Sequence, residues 1–328
     1  MSKFLFILLV LFSLNSWAQN YDFIDNKVRN YPEFKSINHL GVRISNDFDK
    51  DSLRLRAAFT WLTHNISYKD KSISEVFKPK EQLVYYSEFG KELLLRKKKL
   101  ERIEKAFAKK SGVCLDYSLL LHELCTFFTL ESKIIYGIGK NEIRSIKGEQ
   151  LFKNHSWNAV KINGEWRLMD ATWASGYIDL ASDTFIKRFI EHYYLTKPSE
   201  FIKHHFPTHT EWQLLHNPID IETFYSAPIF LPEYFQKDIK LATETKGIIQ
   251  LTKENEYILL FEKIPKSHPM HYTINGSGQS IKIGFKKDRV NNSYISKIKL
   301  RKNLNSNDLL TIFLEQKPIL NFIIQKEK

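Results

Sequence analysis

The chain has 328 residues, 43% hydrophobic, 14% aromatic and 26% charged, with 12 Gly, 10 Pro, 2 Cys and a formal charge of +12. Such a composition buries a sizeable core and excludes an intrinsically disordered, collagen-like or disulfide-stapled protein. The basic excess speaks to association and solubility rather than to fold.

The first segment combines Lys3, an apolar run from Phe4 to Leu14, and Ser16-Trp17-Ala18 before Gln19. Small residues spaced around a cut and an apolar run too short to span a bilayer predict a cleaved signal peptide over residues 1–18. The expectation is an exported protein, periplasmic or extracellular, with no membrane span after cleavage and no nucleic-acid partner. No Cys follows the cut, so no lipid anchor is expected there. About 310 residues remain, enough for two domains.

Residues 20–50 carry mixed signals and are expected to wrap around the core. From Asp51, the spacing of Leu55, Ala58, Phe59, Leu62 and Ile66 predicts a helix with one buried face. Residues 69–110 read as an amphipathic helix in which Leu93, Leu94, Leu100, Ile103 and Phe107 alternate with Lys runs that form a solvated face.

Next comes Ser111-Gly112-Val113-Cys114-Leu115-Asp116-Tyr117. After Cys114, the residues Tyr117, Leu120, Leu121, Leu124, Cys125 and Phe128 recur at helical spacing without Gly or Pro. Cys114 is thus placed on the first turn of a buried helix. Unpaired N–H groups and the positive end of the macrodipole there favour a thiolate. Cys125, eleven residues on, is ~16 Å away along the helix axis, beyond disulfide reach, and packs as a small hydrophobe.

After a strand over Lys133–Ile138, the polar tract 140–153 predicts a loop bordering a cleft. Asn163-Gly164 then forms a two-residue hairpin turn between alternating segments. If Ile162 and Glu165 flank the turn, paired residues have numbers that sum to 327, so Trp157 faces Asp170 and His155 is its diagonal neighbour at roughly 7 Å. A carboxylate reaches an imidazole from there. Cys at a helix start with His and Asp side by side on a strand pair is the arrangement of a thiol acyl-transfer site. The imidazole takes the thiol proton and the carboxylate fixes its tautomer.

Residues 174–235 read as irregular and aromatic. His204, His205 and His209 invite a metal reading, but no Cys or acidic residue joins them at a recurrent spacing, and His122-Glu123 lacks the second His of a zinc-protease helix because position 126 is Thr. Neither a metal nor a cofactor is expected. Pro228 and Pro232 bracket a domain boundary, and residues 236–328 alternate short apolar runs with turns. About seven strands are expected: Gly247–Leu251, Tyr257–Lys263, Met270–Ile274, Ser280–Lys286, Tyr294–Leu300, Leu309–Leu314 and Ile319–Gln325. This part holds 17 Lys and Arg against 9 Asp and Glu, an excess of +8. That charge suits acidic polysaccharide or an anionic envelope surface, and equally edge protection by Lys.

Gly112-Val113-Cys114, His155-x-Trp157-Asn158 and Asp170-Ala171-Thr172-Trp173, in this order and spacing, resemble the core of the transglutaminase-like superfamily, in particular its kyphoscoliosis-peptidase branch. The resemblance runs from about Leu53 to Phe235 and includes Phe201-x-x-x-His205-Phe206-Pro207 and Glu211-Trp212-Gln213-Leu214-Leu215. One departure is Leu115-Asp116, where members often carry Glu-Gly; a carboxylate at Asp116 would raise the thiol pKa if it faced the sulfur. The resemblance implies a papain-like α+β core, with the helix-borne Cys on an antiparallel sheet, over residues 19–235; the strand pattern adds a small all-β sandwich over 236–328, so the fold class expected is α+β. The resemblance also implies Cys114 as nucleophile, His155 as general base and acid, and Asp170 as its orienter. Trp157, Trp61 and Trp173 are candidates for oxyanion or substrate contacts. Two classes of function stay open: an enzyme on protein or peptide amides, hydrolytic or crosslinking, and a catalytically silent binding or scaffolding module.

Overall fold

The computed structural model describes residues 21–69, 87–140, 143, 153–179, 184–251, 256–265, 269–276, 279–300 and 304–326. The expected leader and most of the 140–153 tract lie outside them.

Residues 21–50 form two helices, where a wrapping segment was expected: α1 (Asp22–Arg29) and α2 (Ile37–Asp47), the second capped by Ser36 Oγ accepting from the His39 N–H. They pack on α3 (Asp51–Asn65), in which Leu55 to Thr63 are all buried. One buried face was expected; the helix is instead buried on all sides over this span. Helix α4 (Glu88–Lys109) starts at the Ser87 cap and ends with Lys110 at φ 50°. Its Ile103, Ala106 and Phe107 face the core, and its Lys-rich remainder is solvated.

Helix α5 (Cys114–Phe127) begins at the cysteine. It lies on a four-stranded antiparallel sheet ordered β3-β2-β1-β4, where β1 is Ser132–Gly139, β2 His155–Ile162, β3 Glu165–Met169 and β4 His205–Pro207. The β2/β3 register is the expected one, Ile162 opposite Glu165 through Asn158 opposite Met169. Asn163 at φ 52° and Gly164 at φ 80° supply the paired positive angles of a type I′ turn. Asn158 Nδ2 donates to the Ser118 carbonyl at 3.0 Å, tying α5 to the middle of β2.

The C-terminal part is two sheets enclosing a second apolar core of residues such as Leu259, Phe261, Leu310, Ile312, Leu320 and Phe322. One sheet has the order β5 (Lys240–Leu241), β7 (Glu256–Lys263), β11 (Ser293–Lys299), β10 (Lys286–Asp288). The other runs β6 (Ile248–Leu251), β13 (Lys317–Lys326), β12 (Leu309–Leu314), β8 (Met270–Ile274), β9 (Ile281–Lys282). The chain is therefore α+β, a helix-on-sheet core followed by an all-β sandwich. Lys240–Leu241 is an additional strand, and the expected strand Ser280–Lys286 is two short ones, with Ile283, Gly284 and Phe285 between them. Phe230 and Tyr234 also pack into the second core, because Ile229–Phe230 pairs with β13.

Lys140, at the end of β1, fastens this crossing segment. It is 3% exposed, and Nζ donates to the carbonyls of Phe224, Ala227 and Pro228 at 2.7, 2.6 and 3.2 Å. Lys140→Met keeps the stem and strands three carbonyls, so a loss of about 2 kcal/mol is expected in urea unfolding. A loss well under ~0.5 kcal/mol would show that water takes over these acceptors.

Candidate active site

The approach of α5 to the preceding chain depends on Gly112, where a Cβ would lie 2.5 Å from the Asp116 Cβ. Asp116 Oδ2 accepts the Val113 N–H at 2.8 Å and Oδ1 accepts Arg102 Nε at 2.6 Å. Its carboxylate is thus held on the helix start and on a guanidinium.

His155 opens β2 and Asp170 follows β3. At Asp170 the chain leaves the sheet and enters the short helix Ala171–Ser175, for which Asp170 is the N-cap. The strand pairing consequently ends at Asn158 and Met169, and Asp170 does not face Trp157 across a ladder. Asp170 Oδ1 accepts the N–H groups of Thr172 (2.8 Å) and Trp173 (3.2 Å). Its Oδ2 accepts His155 Nε2 at 2.6 Å. His155 and Ser156 both act on the Cys114 thiol and lower it. Since Nε2 is engaged by the carboxylate, Nδ1 is the ring nitrogen left for the sulfur. The structure brings Cys114, His155 and Asp170 together, with His155 hydrogen-bonded to Asp170 and acting on the thiol.

All three are buried: Cys114 2%, His155 6% and Asp170 1% exposed. Burial pushes the Cys114 thiol up, but the hydrogen bond and charge of His155 outweigh it and bring the thiol below its ordinary value. Burial pushes His155 down, but the Asp170 carboxylate outweighs it and holds the imidazolium. Asp170 itself lies far below the usual carboxylate range, its burial overcome by His155 and His205. Cys125 has only burial, partly offset by Ser132, and is pushed up to about 12. One of the two thiols is prepared for ionisation.

The candidate tryptophans divide. Trp173 stands beside His155, with ring centroids 5.2 Å apart, and lines a cavity of about 880 Å³ that opens next to His155. Tyr68, Tyr177 and Phe185 add further aromatic walls. The far wall comes from Leu231, Pro232, Lys317 and Pro318, with the Arg188–Glu233 ion pair at 2.9 Å between the two sides. Trp157 lies under His155 and is 1% exposed, offering no surface to a substrate. Trp61 stacks on Phe107 with centroids 5.0 Å apart and belongs to the core; it does not line the cavity.

Sequence reasoning missed a second imidazole. His205 Nε2 meets Asp170 Oδ2 at 2.9 Å, its Nδ1 meets His204 Nδ1 at 2.7 Å, and His204 Nε2 meets His192 Nε2 at 2.8 Å. The ligand atoms of His155, Asp170 and His205 lie within 4.8 Å of one another. At 2.6 and 2.9 Å, though, ring nitrogens and carboxylate are at hydrogen-bonding distance, and a cation between them would displace both N–H protons. His209 is exposed. The signal that pointed to this region was the motif Phe201-x-x-x-His205-Phe206-Pro207, since β4 pairs His205 with Gly139 beside the site.

Residues 38–171 match the model of the transglutaminase-like superfamily. The mouse kyphoscoliosis peptidase is 27% identical over 237 residues, 70% of this chain and 32% of the relative. Drosophila hillarin is 29% identical over 151 residues, 42% and 18% of the two chains. The chain thus spans about a third of the length of the first relative and less of the second. A solved transglutaminase structure aligns with 52% of this chain and 36% of its own at 10% identity, with a TM-score of 0.29.

Proposed function

We propose that this chain, whose residues 38–171 match the model of the transglutaminase-like superfamily, is an exported thiol enzyme acting on protein or peptide amides. The observation that carries the reading is the row Cys114–His155–Asp170, with a thiol lowered and an imidazolium held, next to an aromatic-walled cavity.

The reaction begins with Cys114 Sγ attacking the amide carbonyl carbon. The first-turn N–H groups of α5 receive the negative charge that develops on the oxygen. As the C–N bond breaks, His155 gives its Nδ1 proton to the departing amine, and a thioester remains on Cys114. Water, deprotonated by His155, then releases a carboxylic acid; a primary amine in its place gives a new amide. Hydrolysis is the proposed outcome, and crosslinking is the same chemistry with a different acceptor. The aromatic walls suit a bulky apolar side chain near the scissile bond. The +8 excess over residues 236–328 would draw the enzyme toward an anionic envelope or acidic polysaccharide.

One observation favours a silent binding module instead: Cys114 is 2% exposed. Incubating the protein with a casein digest or a cell-wall peptide mixture, with and without an added primary amine, separates the readings by mass spectrometry. New fragment masses report hydrolysis, amine-bearing masses report transfer, and an unchanged spectrum rejects the enzyme.

A further inference from the structure

We propose that His205 is a positioning residue for this site, held by His204 and His192 in the one tautomer that lets its Nε2–H donate to Asp170 Oδ2. The inference rests on the triad reading of Cys114, His155 and Asp170 given above.

The argument starts from the carboxylate, which only accepts. Oδ2 receives His155 Nε2 at 2.6 Å and His205 Nε2 at 2.9 Å, so each ring must present an N–H there. A neutral His205 with its proton on Nε2 has a lone pair on Nδ1. The 2.7 Å contact to His204 Nδ1 then makes His204 the donor, with its own lone pair on Nε2. The 2.8 Å contact onward makes His192 Nε2 the next donor. Three neutral rings thus point their N–H groups one way, toward Asp170.

The reverse polarity would give His205 a proton on both nitrogens. That puts a second imidazolium on the same carboxylate, with the two ring centroids 5.2 Å apart and His205 1% exposed. Burial disfavours it, and so does the charge of His155; together they press His205 down to about 4 and help press His204 well below its ordinary value. Among the described residues, the other charged or titratable neighbours are Lys203 beside His204 and the Tyr117 and Tyr193 phenols near Asp170, with Glu233 acting on Tyr193 and not on His205 or His192. None of them supplies a compensating anion. Packing fixes the rings in place: His205 stacks on Phe201 with centroids 4.1 Å apart, and half-buried His192 stacks on Phe235, also at 4.1 Å.

The consequence is electrostatic. The His205 N–H draws charge off Oδ2 without bringing a cation that would compete with the His155 imidazolium. Removing it leaves the potential at His155 and Cys114 more negative, so both hold their protons more tightly. In the pH profile of Cys114 alkylation by iodoacetamide, both limbs should therefore move up together in His205→Leu, by about one pH unit, and alkylation on the acid side should slow about tenfold. His205→Gln, whose amide N–H takes the place of Nε2–H, should lie close to wild type. If His205 merely kept Asp170 from swinging away, its loss would weaken the ion pair and bring the limbs closer together.

Unmoved or converging limbs in His205→Leu would overturn the proposal. A wild-type profile that His155→Ala leaves unchanged would instead overturn the triad reading beneath it. If His205→Leu does not fold, ring 15N–1H correlation spectra of the 15N-histidine-labelled wild type decide alone. Between about pH 5 and 8 they should show His205 and His192 as Nε2–H and His204 as Nδ1–H, all neutral. An imidazolium or an Nδ1–H tautomer at His205 would overturn it.

Discussion

Cys114→Ala should lower amide turnover by a factor on the order of 10⁴ or more, because covalent capture of the acyl group has no substitute in this site. His155→Ala should lose nearly as much, for a different reason. Without the imidazolium, burial and the Asp170 charge raise the thiol with only Ser156 opposing them, so little thiolate is left at neutral pH. Alkylation separates the two steps. Wild type should take one iodoacetamide at Cys114 and none at Cys125, which is fully buried and pushed up to about 12. His155→Ala should slow that labelling at least about a hundredfold near pH 7. Since the sulfur is buried, Cys114→Ala costs about 1 kcal/mol of stability, too little to account for lost turnover by unfolding. Turnover surviving in Cys114→Ala would refute the mechanism.

The features of this site that the sequence made legible are local ones. The helix starts at Cys114 because a helical run begins there with no competing periodicity. The β2/β3 register follows from Asn163-Gly164 because a two-residue turn fixes every pair above it. Alternation likewise placed Met270–Ile274 and Leu309–Leu314 at their observed bounds. What escaped depends on packing between distant segments. Asp170 leaves the ladder to cap a helix, and its fourth donor, His205, comes from 35 residues away on an edge strand of three residues. So short a strand carries no period to read. Trp61 is a candidate for an oxyanion or substrate contact by sequence, yet the burial of α3 on all sides places it on Phe107. Residues 20–50 concealed α1 because its stability comes from contacts across the fold and not from its own stripe.

The strongest of those contacts is Arg56, whose replacement by Met is expected to cost about 3–5 kcal/mol. Its side chain is 2% exposed. Nε and Nη2 donate to the Asp25 oxygens at 2.9 and 2.6 Å, Nη1 and Nη2 reach Glu191 at 2.6 and 2.7 Å, and Thr60 Oγ1 adds a third bond to Asp25 at 2.6 Å. The guanidinium also lies over the rings of Tyr21 and Tyr194 at 4.4 and 4.7 Å. Glu191, 55% exposed, regains water when Arg56 is lost, but Asp25, 9% exposed, does not. Most of the cost is that stranded carboxylate. The pH dependence follows with a definite sign. In wild type, burial raises Asp25, but the bonds from Arg56 and Thr60 outweigh it and hold its folded pKa below the unfolded one. Its contribution is therefore present above the unfolded carboxylate value near ~4 and lost as pH falls through the folded value. In Arg56→Met, burial is no longer outweighed by the guanidinium, and the folded pKa rises above the unfolded one. The penalty is then full at neutral pH and shrinks on acidification, so urea midpoints of the two proteins should converge toward about pH 4. Arg56→Met/Asp25→Leu should recover much of the loss at pH 7, since it removes the unpaired charge along with its partner. A double variant no more stable than the single one would mean that stacking on Tyr21 and Tyr194, and not the buried charge, is what α1 and α3 depend on.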